Sequence, residues 1–373
     1  MRVGLNLIFL VPGETGGMET VARELLPELA RAAPDVRFTA FVNREAAEGA
    51  DRWWEELMPS VTVPVRASRR ADWVRGEQLV LPRLARREGV DLVHSLGSTA
   101  PVRGAFRRVV TVHDLIYRIV PEAHFGLRAL GMRALVPAAV RRSDRVIAVS
   151  RNTRDDLVRL LRVPAERIDV VPSGVGTTAR AEPEPEAQLR AHHELADRPV
   201  VLAVSAKRPH KNLRRLLDAL ALLPAERRPV LFLVGYPTEH EQELRRHANQ
   251  LGLAGDVRFP GWVDAAELEG LYALASAFVF PSLYEGFGLP VLEAMARGVP
   301  VACSSRASLP EIAGGAALLF DPEAPTAIAA ALERLLSDHE LADRLRAAGR
   351  EQAARFSWRA AAEGTLASYR RAL

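Results

Sequence analysis

Residues 278–298, FVFPSLYEGFGLPVLEAMARG, leave a chain little choice of fold. A short apolar strand, Phe278 to Phe280, runs into the glycine-rich loop Glu285-Gly286-Phe287-Gly288, and Leu289 starts a helix. Pro290 suits the first helical turn, where its missing N–H costs nothing and its fixed φ is already helical. Gly286 and Gly288 permit a tight backbone with no Cβ beside a ligand. A strand, a tight loop and a helix start together offer backbone N–H groups to an anionic or polyhydroxylated ligand. Glu285 and Glu293 bracket that position, and two carboxylate acceptors suit the hydroxyl donors of a sugar. Either glutamate alone reads as an ordinary turn or helix residue; the pair within this loop points to a site.

The rest of the chain repeats the strand-then-helix alternation. In the first half, apolar runs at 3–11, 36–42, 61–65, 90–94, 109–112 and 146–149 alternate with helical patterns at 18–32, 77–88 and 128–142. Ser150 is a candidate N-cap for a helix over 151–161. In the second half, strands are expected at 199–204, 230–234, 257–259, 277–280, 299–302 and 317–319. This pattern predicts an α/β chain with two Rossmann-like, doubly wound, mostly parallel sheets, which bind ligands beyond the carboxyl ends of their strands. The expected division is a first domain over 1–175, a polar, extended linker over 176–197 and a second domain over 198–356. Within the linker, His192 and His193 read as surface residues.

The segment 281–301, PSLYEGFGLPVLEAMARGVPV, continuing into SLPEIAGGAALLFDP at 308–322, resembles the E-x7-E signature of retaining glycosyltransferases of family 4 (GT4) with the GT-B fold. The resemblance implies two Rossmann-like domains facing across a cleft, with a C-terminal helix, 357–373, crossing back to the first. It implies a nucleotide-diphosphate sugar held mainly by the second domain. Glu293 then holds ribose hydroxyls, Glu285 holds the sugar, and the 286–289 backbone, including Phe287 and Leu289, meets the diphosphate. Lys211 matches the family lysine that contacts the diphosphate. The family often carries an arginine where Ala206 stands, and Arg208 or Lys207 are the candidates to replace it. Val263, in Gly261-Trp262-Val263, falls where the family borders the nucleotide base.

Two features of the first domain fit the same reading, and one departs from it. The first strand ends in Pro12-Gly13-Glu14-Thr15-Gly16-Gly17, a loop that feeds a helix but lacks the G-x-G-x-x-G spacing of a dinucleotide site. The resemblance assigns Gly16 and Gly17 to the donor diphosphate; a plain tight turn is the alternative. His113-Asp114 ends another strand, where the family places an HD pair near the donor sugar; His94 shares that topology with a weaker claim. At Ser173 and Gly176 the chain departs from the family's N-G-V-D.

Composition narrows the partners. The net charge is +4, and of the 50 basic residues only Lys207 and Lys211 are lysines. A compact point charge in a chain that otherwise uses arginine marks a site. The single cysteine, Cys303, allows no internal disulfide and fits a reducing compartment. No apolar run reaches membrane-spanning length, which predicts a cytoplasmic protein, with a peripheral place at the inner membrane face as its membrane option. Trp53, Trp54 and Trp73 are interleaved with arginines over 53–87. That segment is either a surface for a lipid-diphosphate acceptor or anionic membrane, or an amphipathic helix with a basic solvent face. No nucleic-acid recognition motif accompanies the charge.

The resulting expectation is a hexosyltransferase acting with retention in cell-surface polysaccharide synthesis. GDP-mannose is the favoured donor and a UDP-sugar the second, with a glycan or lipid-linked acceptor and no further cofactor. His113, Glu285 and Lys211 are the candidate catalytic residues. No D-x-D triplet occurs, so no metal is expected. The rival readings are a nucleotide-sugar epimerase or hydrolase of the same fold, and a non-catalytic sugar-binding subunit.

Overall fold

The computed structural model describes residues 1–12, 15–120, 126–176 and 181–373. Gly13 and Glu14 of the first glycine loop, and residues 177–180 at the start of the expected linker, lie outside these. Among the described residues the chain forms two compact units: residues up to Arg118, 126–176 and Phe356–Leu373, and residues 181–355 with Ile119 and Val120.

The first unit holds a seven-stranded sheet, all parallel. Its strands are β1 (Arg2–Leu7), β2 (Arg37–Val42), β3 (Ser60–Thr62), β4 (Leu92–Ser95), β5 (Arg107–Val112), β6 (Arg145–Ala148) and β7 (Ile168–Val170), in the order β3-β2-β1-β4-β5-β6-β7. The second unit holds β8 (Val200–Val204), β9 (Val230–Val234), β10 (Val257–Gly261), β11 (Ala277–Phe280), β12 (Val301–Ser304) and β13 (Ala317–Phe320). They pair in the order β10-β9-β8-β11-β12-β13, again all parallel. Strand order reverses between β1 and β4 in one sheet and between β8 and β11 in the other. Parallel strands are covered on both faces, and accordingly every residue of β9 and β11 is buried.

All twelve expected strands form, with ends shifted by a few residues. The seventh strand of the first unit, β7, adds Ile168-Asp169-Val170, too short to stand out as an apolar run. The expected helix at 77–88 is instead a π-helical turn, Gly76–Val80, followed by an α-helix, Leu81–Arg87. The helix Arg151–Leu161 starts as read, with the Ser150 hydroxyl accepting from Thr153 N at 3.0 Å.

Two expectations need correction. Residues 186–192, expected to be extended, form a helix whose Leu189 is fully buried. Helix Ala265–Leu274 packs against it, and a Cβ on Gly270 would lie 2.7 Å from Glu184 O. The PEPE run hid a segment whose one apolar side chain has a core to enter. His193 is likewise not a surface residue: its ring stacks on His192, stands edge-on to Phe232 and meets Glu267 Oε1 at 3.2 Å.

The tryptophans of the 53–87 segment turn inward. Trp54 is fully buried, and Trp73 packs on the cluster of Phe41, Val65 and Leu81. Arg69, Arg70, Arg75, Arg83, Arg86 and Arg87 stay exposed, so the segment is an amphipathic layer with a basic solvent face. Among the described residues no helix is long and apolar enough to cross a membrane.

The last helix, Trp358–Ala372, belongs to the first unit. It packs along the helix Gly17–Ala32 and reaches the sheet through polar side chains. Tyr369 Oη lies 2.7 Å from His94 Nδ1, and His94 Nε2 lies 2.8 Å from Thr111 Oγ1. Ser368 donates to Asp169 at 2.7 Å, and Arg371 pairs with the same carboxylate at 2.9 Å. Burial pushes Asp169 up, but bonds from Arg145 and Ser368 and the charges of Arg145 and Arg371 outweigh it and hold its carboxyl below the usual range. His94 is therefore part of the helix dock and not of an active edge.

Burial, with a smaller repulsion from His113, lowers His94 to about 3. Below pH 6.5 the unfolded chain takes up a proton there that the folded chain refuses, so this term is present above 6.5 and lost as pH falls towards 3. His94→Gln removes it. Equilibrium unfolding from pH 6 to pH 4 should show the variant losing stability less steeply than wild type, by about 1.4 kcal/mol per pH unit. Equal slopes would mean that His94 titrates alike in both states.

Candidate active site

The loops after β8 and β11 meet at the strand-order reversal of the second sheet. After β8 the chain makes a tight turn, Pro209–Lys211, then places Asn212 in the left-handed region before the helix Leu213–Leu222. Asn212 ties this loop to its neighbours: its amide donates to Pro281 O at 3.0 Å and to Pro322 O at 2.7 Å. Leu283 N donates to His210 O at 2.9 Å. These bonds bring Lys211 Nζ to 2.6 Å from Glu285 Oε1, with the ammonium 5.2 Å from the centre of the Phe280 ring. Both side chains of the pair are mostly buried.

The glycine loop is fixed from behind. The Ser308 hydroxyl lies 3.0 Å from Glu285 O and 2.6 Å from Phe287 O. Phe287 is buried. Gly288 has φ 114°, and a Cβ there would lie 2.7 Å from Leu309 Cδ2. Its glycine is thus required by the backbone and by Leu309, a different reason from room for a ligand. Leu289 begins the helix Leu289–Ala296 as expected, with Pro290 in the first turn.

Glu293 stands one turn further and has its own partners. Tyr272 Oη donates to its Oε2 at 3.3 Å. Burial raises the Glu293 carboxyl above its ordinary value, against the Arg297 charge and the Tyr272 bond. Arg297 lies 4.5 Å over the Tyr272 ring, donates to Glu293 O at 3.0 Å and grips the Glu269 carboxylate with two nitrogens. Sequence reading passed over Asn212, Tyr272, Glu269, Arg297 and Ser308. Arg297 and Ser308 lay inside the matched motif; the other three did not.

The two lysines separate. Lys207 is fully buried, donates to Gly235 O and lies 3.7 Å from Glu241 Oε2. Burial lowers it to about 8 despite Glu241. It holds the β8 and β9 loops together and is not placed to replace an arginine at Ala206; Arg208 is exposed. Val263 is buried, while Trp262 is 66% exposed and stacks on Tyr236 at 4.5 Å, joining the ends of β9 and β10.

In the first unit, His113 follows β5 and is partly buried. Its Nε2 donates to Leu96 O at 2.6 Å and its backbone N donates to Ser98 Oγ at 3.2 Å. A carbonyl can only accept, so the proton sits on Nε2 and Nδ1 keeps a lone pair. Burial lowers the imidazole below its ordinary value, against the bond to Leu96 and the charge of Asp114, so it is neutral at pH 7. Asp114 accepts from Ile116 N at 3.0 Å and caps a short turn. Gly16, at φ 62°, precedes the helix that Gly17 begins, and among the described residues a Cβ on either would meet no atom within 4 Å. That open helix start fits close approach by a ligand. Among the described residues no cluster of metal-ligating side chains occurs.

Two family models match the chain: "Glycosyltransferase Family 4" over residues 15–179 and "Glycosyl transferases group 1" over 186–352. The O-antigen chain mannosyltransferase B of Escherichia coli is 35% identical over 269 residues, covering 71% of this chain and 70% of that protein. The E. coli serotype-specific mannosyltransferase WbdA is 31% identical over 72% of this chain, but the match spans only 34% of that longer protein. Among solved structures, the Thermosynechococcus elongatus sucrose-phosphate synthase superposes with a TM-score of 0.79 at 23% identity, over 99% of this chain and 98% of that one. Anabaena HepE, solved with UDP and glucose, superposes at 0.78 with 22% identity over the whole of both chains. At these identities the structures establish the GT-B fold of two Rossmann-like units.

Ser308→Ala tests the support of the glycine loop. It removes the one hydroxyl that the Glu285 and Phe287 carbonyls share, which should cost about 1–3 kcal/mol by urea unfolding. Hydrogen exchange should rise at 285–288 before the rest of the unit. Unchanged exchange there would show that the loop is held by other contacts.

Proposed function

Because the chain belongs to the family 4, group 1 glycosyltransferases of the GT-B fold, we propose that it moves a mannosyl group from a nucleotide-diphosphate donor to a glycan or lipid-linked acceptor, with retention, in cell-surface polysaccharide synthesis. The observation that carries this reading is the Lys211–Glu285 pair at the β8/β11 reversal, 2.6 Å apart, in front of the Leu289 helix start. A lysine ammonium has three donors, and one bond to Glu285 leaves two for a diphosphate. Glu285 orients that ammonium and accepts from sugar hydroxyls. Lys211 and the helix start stabilise the charge that grows on the departing diphosphate. Glu293, braced by Tyr272 and Arg297, takes ribose hydroxyls. His113 and the Gly16-Gly17 helix start of the first unit serve the sugar and the diphosphate.

The mannosyltransferase relatives support mannose as the sugar, and GDP-mannose is the favoured donor, with a UDP-sugar second. We assign no carboxylate as nucleophile. Front-face transfer, in which the leaving phosphate assists deprotonation of the acceptor hydroxyl, is the preferred route. The exposed arginines over 69–87 suit a peripheral approach to an anionic, lipid-linked acceptor. Stabilisation in a thermal-shift panel should favour GDP over UDP and ADP; preference for UDP would reverse the donor assignment. Conversion of nucleotide sugar with no acceptor present would favour an epimerase or hydrolase.

Lys211→Ala should lower kcat as well as raise KM, since a charge-assisted bond of about 1.5–3 kcal/mol is lost where charge develops. Glu285→Gln should impair turnover but leave nucleoside-diphosphate affinity nearly unchanged, because that ligand lacks the transferred sugar and the Gln oxygen still accepts from Lys211. Loss of nucleotide binding in folded Glu285→Gln, or full turnover by Lys211→Ala, would overturn these roles.

Activity should survive EDTA, because Lys211 and the helix start provide the positive field at the diphosphate. Complete loss, restored by Mg²⁺ or Mn²⁺, would show that a metal bridges it.

A further inference from the structure

The carboxyl edge of the first sheet carries a buried carboxylate that the proposed transfer does not use. Glu77 sits on the π-helical turn Gly76–Val80 and is 2% exposed. Single π-turns inserted between helical segments are frequent at functional sites. Glu77 Oε1 accepts from Asn6 Nδ2 at 3.1 Å and from Thr99 Oγ1 at 2.9 Å, and Oε2 accepts from Gln78 Nε2 at 3.0 Å. Asn6 is near the end of β1, and its amide also donates to Ser95, the last residue of β4, at 3.0 Å. Its side-chain oxygen accepts from Ile8 N at 3.3 Å, at the start of the first glycine loop. These bonds span the β1/β4 pair, where the order of the first sheet reverses.

The same network runs into the loop after β4. Thr99 lies in that loop. Gln78 accepts from Val102 N at 3.0 Å and donates to Ala100 O at 3.0 Å. Leu96 and Ser98 of the loop hold His113, as described above. Ser98 itself has φ 66°, a left-handed conformation for a non-glycine residue that persists where its surroundings impose it. From Glu77 to the His113 imidazole the path is Thr99, the 96–99 backbone and the Leu96 carbonyl.

We propose that Glu77 is a positioning residue for glycosyl transfer, fixing the 96–102 loop and through it the imidazole of His113. This rests on the role given to His113 in the proposed function. An ionised carboxylate accepts all three donors together; a protonated one must donate its own O–H and displaces one of them. The polar groups facing Glu77, namely Asn6, Gln78, Ser95 and Thr99, are uncharged, and burial pushes its carboxyl up to about 7 against their donated bonds. The clamp is complete above that pH and loosens as pH falls through it. Burial also lowers His113 from its ordinary value, so its protonation is disfavoured in the folded chain.

The test is Glu77→Gln in the full chain, which keeps the shape but turns an NH₂ towards a donor. Hydrogen exchange should quicken at 96–102 and at the His113 amide and not elsewhere in the first unit. Losing one such bond should lower kcat about tenfold or more, with KM for the sugar nucleotide within about twofold. The wild-type fall in kcat below about pH 7 should be absent from the variant. Thr99→Val, which removes the loop's own donor, should reproduce the exchange change and the kcat loss if Glu77→Gln does not fold. Unchanged relative exchange in the loop, or Glu77→Gln with wild-type kcat and acid limb, overturns the inference. If the wild-type chain transfers no sugar, the activity reading fails separately, and the exchange measurement alone decides whether Glu77 holds the loop.

Discussion

A parallel sheet covered on both faces has nowhere inside it for a free polar group. Strands such as β9 and β11 bury every side chain, so chemistry is pushed to the loops beyond their carboxyl ends. At the point where strand order reverses, neighbouring loops turn to opposite faces of the sheet and leave room between them. Both units obey this constraint, and both put their polar side chains there. In the second unit the result is Lys211 against Glu285; in the first it is the Asn6, Glu77 and Ser95 network behind His113.

Three of the charges and imidazoles that go inside have several partners each. Lys207 has the Gly235 carbonyl and Glu241, Asp169 has Arg145, Arg371 and Ser368, and His94 has Tyr369 and Thr111. Removing such groups from water is costly unless hydrogen bonds replace the solvent. Each set also joins elements distant in sequence, so the same bonds that satisfy the buried group fix how loops and helices sit on their sheet.

The sequence showed what is local. Alternating apolar runs and helical patterns gave both sheets, and EGFGLP gave a loop and helix start that form where they were read. It hid what depends on long-range pairing. The Asp114 neighbour gave His113 the stronger claim, but nothing near His94 shows that its ring meets Tyr369, 275 positions on. Lys207 and Lys211 look alike on paper, yet one faces Glu285 and the other is sealed under Gly235. Glu77 drew no notice within an arginine-rich helical pattern, because its partners Asn6 and Thr99 lie 71 and 22 residues away. The tryptophans were conspicuous by type, and only packing showed that they face the core.

The final helix belongs to the unit that the ribosome makes first. Residues 181–355 form a continuous stretch that can close on itself as it emerges, while the first sheet still lacks Trp358–Ala372, with the hydroxyl that meets His94 and a cation for Asp169. Domains generally fold in order of synthesis. Here that order is inverted: the first unit remains open until Trp358–Ala372 has been made, and residues 181–355 are complete before it. A chain cut short before Trp358 would therefore have residues 181–355 whole and the first unit left incomplete.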